Sequence, residues 1–217
     1  MKSVSKILAS LTLIAIAGLG STANADTFDF TCISNNNAQN CQTGGLQLSV
    51  EVVAGPNGQA QFIFRNNGPS ASSIADIYFD NGTLLGIASI TNGAGVDFSQ
   101  GASPGNLPGG NSMNPAFQAT AGFTADSNPP TQPNGVNPGE TVSIFYMLQS
   151  GGAFADVIRE LYSREIRIGL HVQGFGNGGS ESFVNDVTPV PVPAAAWLLL
   201  SGLGLLRVAR RRGVLTP

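Results

Sequence analysis

Apolar and polar residues alternate with period two along several short stretches of this chain, each bounded by turn residues. Leu46, Leu48, Val50 and Val52 alternate with Gln47, Ser49 and Glu51, which predicts a half-buried strand. Gly55-Pro56-Asn57-Gly58 is a turn. Ala60, Phe62 and Phe64 follow as the hairpin partner, and Asn66-Asn67-Gly68-Pro69 closes it. Ile74 to Phe79 predicts a third strand ending at Asp80-Asn81-Gly82, and Leu84 to Ile90 a fourth. Phe117, Ala119, Ala121 and Phe123 alternate within a Pro- and Gly-rich stretch, 101–139, and predict a strand between long loops. Val142 to Leu148 is an unbroken apolar run, the pattern of a buried strand. Ile166, Ile168, Leu170 and Val172 give the clearest alternation of all, ended by Gly174 to Gly179.

One segment breaks this pattern. Phe154, Val157, Ile158 and Leu161 recur at helical spacing, with Asp156 in the first turn and Glu160 four residues before Arg164. It predicts a single short helix. Seven or so strands with turns between them, and no strand–helix alternation, predict a mainly β fold. The expected form is an antiparallel β-sandwich of immunoglobulin or jelly-roll kind.

The two ends read differently from this body. Lys2 and Lys6 precede an apolar stretch, Ile7 to Leu19, and Ala23-Asn24-Ala25 offers small residues for a signal peptidase. Residues 1–25 are therefore expected to be a signal peptide, 26–186 an extracellular domain, and 187–217 a separate C-terminal segment. That last segment has prolines at 189, 191 and 193, an apolar helix from Ala194, and then Arg210, Arg211 and Arg212. Its apolar helix is expected to cross a membrane with the arginines on the cytoplasmic side.

Charge follows the same division. All thirteen acidic residues fall in the body, with only Arg65, Arg159, Arg164 and Arg167 to balance them, so it carries about −9 while the whole chain sums to −3. A lysine-free acidic body is a poor ligand for nucleic acid, which needs clustered cations.

Few residues offer chemistry. Cys32 and Cys41, the only cysteines, are expected to form a small disulfide loop in an oxidising compartment. Their spacing, with the sole histidine at 171, does not make a zinc set. His171 falls on the polar face of its strand beside Gln173 and has no recognisable nucleophile in sequence, so no catalytic residue is expected. Asp76 and Asp80 lie four apart on a strand, share a face, and are weak calcium candidates with Asp126 or Asp97. Glu140, Glu160, Glu165 and Glu181 do not single out a glycosidase pair. Gly174 to Gly179 lacks the lysine and the following helix of a phosphate loop, and no cofactor is expected.

The C-terminal segment resembles a PEP-CTERM sorting signal of the V-P-x-P-A-A variant. The matching residues are Val190, Pro191, Pro193, Ala194 and Ala195, followed by the apolar helix and Arg210, Arg211 and Arg212. Val192 stands where the usual motif has glutamate, and Gly213 to Pro217 extends past the arginines. The resemblance implies a passenger held transiently in the inner membrane of a Gram-negative bacterium. An exosortase-type membrane protease then releases it to the cell surface or extracellular matrix, in connection with exopolysaccharide or biofilm. The body is similar to domains that often precede such signals, through Asp76 to Asp80, Gly169 to Phe175 and Gly178 to Phe183. Phe64 to Pro69 and Asn137 to Val142 resemble turn–strand junctions of immunoglobulin-like secreted domains. The expected role is non-enzymatic, structural or adhesive; the competing expectation is a secreted carbohydrate-binding or polysaccharide-modifying protein.

Overall fold

The computed structural model describes residues 25–80, 83–149 and 151–187. Residues 1–24 and 188–217, where nearly all of the expected signal peptide and sorting segment fall, lie outside the described residues. Among those that are described, the fold is mainly β, with strands β1 (Asp26–Cys32), β2 (Leu48–Ala54), β3 (Gln59–Asn66), β4 (Ser73–Asp80) and β5 (Leu84–Asn92) in the first half. The second half adds β6 (Phe98–Gln100), β7 (Ala119–Ser127), β8 (Thr141–Leu148), β9 (Ile168–Gln173) and β10 (Glu181–Asn185). Helices α1 (Ala38–Gln47), α2 (Thr131–Asn134) and α3 (Phe154–Ser163) are inserted between them.

The strands form one antiparallel ladder in the order β5-β8-β3-β2-β1-β10-β9-β4-β7-β6. β1 joins its two halves. Asp26 to Asp29 pair with β2, whereas Phe30 to Cys32 pair with β10. The ladder curls until its ends meet: Asn92 of β5 accepts from the Phe98 N–H of β6 at 3.0 Å and donates to its carbonyl at 3.2 Å. The sheet is thus nearly a barrel, which leaves few open edges.

Inside, apolar residues from both halves face one another. Phe62 meets Phe79 at 4.9 Å and Tyr146 at 5.6 Å between ring centroids, both edge-on. Phe123 stacks on Tyr146 at 5.8 Å. Aromatic pairs of this kind add stability beyond the area they bury. The predicted β2–β3 hairpin is present, with Val50 opposite Phe64 and Val52 opposite Phe62.

The structure corrects several expectations. Leu46 is not in the strand; it ends α1 and is 81% exposed. Helix α1 has almost no apolar periodicity and is held by other means. Asn37 accepts from the N–H groups of Gln39 (2.9 Å) and Asn40 (3.3 Å), a side-chain cap. Gly44 lies against the Phe183 ring, so closely that a Cβ there would collide with it. The Val142 to Leu148 run is buried on one face only: Val142, Ile144 and Tyr146 point inward, and Met147 is 41% exposed. Among the described residues there are three α-helices where the body was expected to hold one, and ten strands instead of seven; β1, β6 and β10 were not foreseen. Arg164 does not pair with Glu160. It leaves the helix in the left-handed region at φ 65°, while Glu160 accepts the Thr83 N–H at 2.8 Å.

The long connection 101–118 covers the outer face of β4 and β9. Leu107 and Phe117 form a second small core there with Tyr78 and Val184. Gly169 makes this close approach possible: a Cβ on it would stand 2.8 Å from Leu107 and 3.1 Å from Phe117. The Tyr78 hydroxyl donates to the Pro104 carbonyl at 3.0 Å. Phe117, expected inside a strand, belongs to this covering loop.

Candidate functional site

A row of polar side chains crosses the same outer face. Ser99 (β6) pairs with Asp126 (β7), Asp126 with Asp76 (β4), Asp76 with His171 (β9), and His171 with Ser182 (β10). Directly paired residues on adjacent antiparallel strands point to the same side of the sheet. A register shift between Ile74 and Asp76 creates the central contact. Without it, Leu170 would oppose Asp76. The same shift lets Ile74 and Ile77, three residues apart, both face the core.

His171 and Asp76 form a hydrogen-bonded pair, Nδ1 to Oδ2, at 2.9 Å, with side chains 14% and 3% exposed. A carboxylate only accepts, so Nδ1 carries the proton and Nε2 is the ring nitrogen left for other contacts. The other oxygen of Asp76, Oδ1, is buried without a hydrogen-bond partner among the described residues. Asp126 answers this. Burial, the charge of Asp76 and a hydrogen bond to the Asp76 side chain raise its pKa to about 6. When Asp126 holds that proton, it donates to Asp76 and the two carboxyls share one negative charge. Burial, with the charges of Asp76 and Asp126, also holds the Tyr78 phenol well above its ordinary range.

Beside His171 lies a recess of about 380 Å³, its wall built from Ser34, Asn36, Ser112, Ser180 and Ser182. Pro108 and Ser112 of the covering loop form one side, and the segment after Cys32 forms the other. That segment is fixed three times over. A disulfide joins Cys32 to Cys41 with Cα atoms 5.3 Å apart. Glu181, buried at 1% exposure, accepts the Asn36 N–H at 3.0 Å, the Asn37 N–H at 2.6 Å and the Ser34 hydroxyl. Ser34 Oγ in turn accepts the Ser182 N–H at 2.9 Å.

The residues singled out from sequence are dispersed by this arrangement. Asp76 and Asp80 share the strand but serve different partners: Asp76 takes His171, and Asp80 accepts from Arg167 Nε at 2.9 Å. Arg167 also donates to the Pro115 and Ala116 carbonyls, each at 2.7 Å, and lies over the Phe117 ring at 5.3 Å, pinning the covering loop. The two weak calcium candidates, Asp76 and Asp80, thus make two separate internal contacts. Asp97 accepts from the Asn128 amide, and Glu140 accepts from the Asn137 backbone and amide. Cys32, Cys41 and Glu181 bring three potential ligand atoms within 4.8 Å. Both sulfurs are consumed by the disulfide, so the set does not suit a metal. The sorting residues Val190, Pro191, Pro193, Ala194, Ala195, Arg210, Arg211 and Arg212 lie outside the described residues. Among the described residues no helix is long and apolar enough to cross a membrane.

Sequence reading singled out His171 but did not join it to Asp126 or to Ser182. Only strand order and the register shift do that. No protein-family model matches the chain, and no curated protein or solved structure shows significant similarity to it.

Proposed function

We propose that this chain is an exported protein of the cell surface or extracellular matrix, with a structural or adhesive role linked to exopolysaccharide or biofilm. In this reading signal peptidase removes residues 1–25. The C-terminal segment then holds the body at the inner membrane until an exosortase-type protease releases it. The observation that carries the proposal is the Cys32–Cys41 disulfide, seated in a loop whose polar groups are internally satisfied. Such bonds persist in oxidising compartments outside the cytoplasm. The curled antiparallel sheet, with its two halves facing across an aromatic core, works as a β-sandwich module of jelly-roll kind.

Mass spectrometry of protein recovered from the culture medium tests the sorting route. Loss of Arg210–Arg212 from the released chain is expected; released protein that retains them overturns it. Replacing Pro191 and Pro193 with alanine is expected to leave the precursor in membranes, and unchanged release removes the motif from the account.

A second reading, a secreted carbohydrate-binding protein, is favoured by one feature: the hydroxyl-lined recess beside His171. It is compatible with the first, since a matrix protein needs something to hold.

A further inference from the structure

We propose that the recess between His171, the covering loop and the disulfide segment is a binding site for a neutral polyhydroxylated ligand, of the size of one or two sugar rings. The inference rests on the carbohydrate-binding reading above and narrows it to one place and one contact: His171 Nε2 accepting a ligand hydroxyl.

Elimination over the wall chemistry supports the ligand class. No Lys or Arg lines the recess, so a phosphate or carboxylate has no counter-charge there. Three of the body's four arginines are committed elsewhere: Arg65 to Glu51, Arg159 to Asp156 and Arg167 to Asp80. Arg164 lines a different recess, together with Arg167 and Pro115. A cation fares no better. The one carboxylate in the wall, Glu181, already accepts two backbone N–H groups and a hydroxyl. An apolar ligand would leave the imidazole nitrogen facing it without a partner. What remains is a ligand that both donates and accepts hydrogen bonds at several points and carries no charge.

The imidazole is prepared for that contact. Asp76 holds Nδ1 from the side opposite the remaining nitrogen, which fixes the tautomer and the ring plane. A second-row partner of this kind is commonly what turns a histidine into a directional acceptor. The wall itself is rigid, because the disulfide and the Glu181 contacts hold Ser34 and Asn36 in place before any ligand arrives. No Phe, Tyr or Trp lines the recess to stack on a ring, so binding of a single sugar is expected in the millimolar range.

His171 is the only histidine in the chain, so its imidazole resonances are assigned without ambiguity. The test uses the folded exported protein, labelled with ¹⁵N. Methyl β-glucoside, methyl β-galactoside and methyl α-mannoside are titrated in turn to about 100 mM, a range set by the millimolar expectation, with inorganic phosphate as the charged control. Saturable movement of the Nε2 signal with at least one glycoside, and none with phosphate, is the expected result. Ser112→Phe, at an exposed position on the rim, is expected to weaken that response about tenfold or more while leaving the fold, read by thermal unfolding, intact. Movement with phosphate alone overturns the proposal, because the site then selects anions. So does movement that Ser112→Phe leaves intact. A purified bacterial exopolysaccharide that binds the protein without shifting His171 overturns this site but leaves the carbohydrate-binding reading standing. If neither glycosides nor polysaccharide bind, both fall.

Discussion

Asp126 and Asp76 stand directly opposite one another on adjacent strands, and Oδ1 of Asp76 is buried without a hydrogen-bond partner among the described residues. The proton that joins them has a thermodynamic signature. Asp126 keeps its proton up to about pH 6 in the folded state, against an ordinary value of 3.8. Between those limits the folded chain binds more protons than the unfolded one, so this group's contribution to stability falls as pH rises. Asparagine at 126 donates the same hydrogen bond without a charge to lose. Asp126→Asn is therefore expected to match the parent near pH 4 and to melt higher than it at pH 7. Thermal unfolding followed across that range checks this; a variant less stable at pH 7 would mean that the two carboxyls do not share a proton.

Arg167 is the pin of the covering loop. Its side chain is 10% exposed and that of Asp80 17%, so the pair is largely out of water. Removing one partner of such a pair takes the counter-charge away from the other. Arg167→Met is expected to cost about 2–3 kcal/mol, less than for a fully buried pair because some water reaches both groups. The loss should be accompanied by new protease cleavage within 101–118, where Pro115 and Ala116 lose their donor. Urea titration and limited proteolysis read the two effects separately.

The disulfide closes a short loop, Cys32 to Cys41, and a loop of that length is expected to contribute about 2–3 kcal/mol. The double variant Cys32→Ser, Cys41→Ser should lose about that much in chemical denaturation. It should also loosen Ser34 and Asn36, which hydrogen exchange at the Asn36 and Asn37 amides would register, since both donate to Glu181.

Gly44→Ala probes the docking of α1. The added methyl meets the Phe183 ring, which is fully buried and has little room to retreat. Overpacking of this kind costs about 1–3 kcal/mol. A variant as stable as the parent would show that α1 slides to accommodate the methyl.

Much of the framework was legible along the chain. The alternation of Ala60, Phe62 and Phe64 with polar neighbours, and of Ile168, Leu170 and Val172, reports which side faces the core, because side chains on a strand alternate between faces. Phe154, Val157 and Leu161 announced α3 by the helical period. Helix α1 was not legible: A-Q-N-C-Q-T-G-G-L-Q carries no apolar stripe, and its cap, disulfide and contact with Phe183 are all made to residues outside it. β10 hid for a related reason. It is buried along its whole length, so its polar members Glu181, Ser182 and Asn185 disguise it as surface.

Sequence alone determined the β character of this protein, the acidity of its body and the pairing of its two cysteines, since each depends on residue type and short-range spacing. The tertiary structure decided that Asp126, Asp76, His171 and Ser182 form one row ending at a recess. Those four residues come from strands separated by up to about a hundred positions, and a single shifted register between Ile74 and Asp76 selects which of them meet. Local pattern fixes which face a side chain takes; only the closing of distant strands against one another fixes its neighbours.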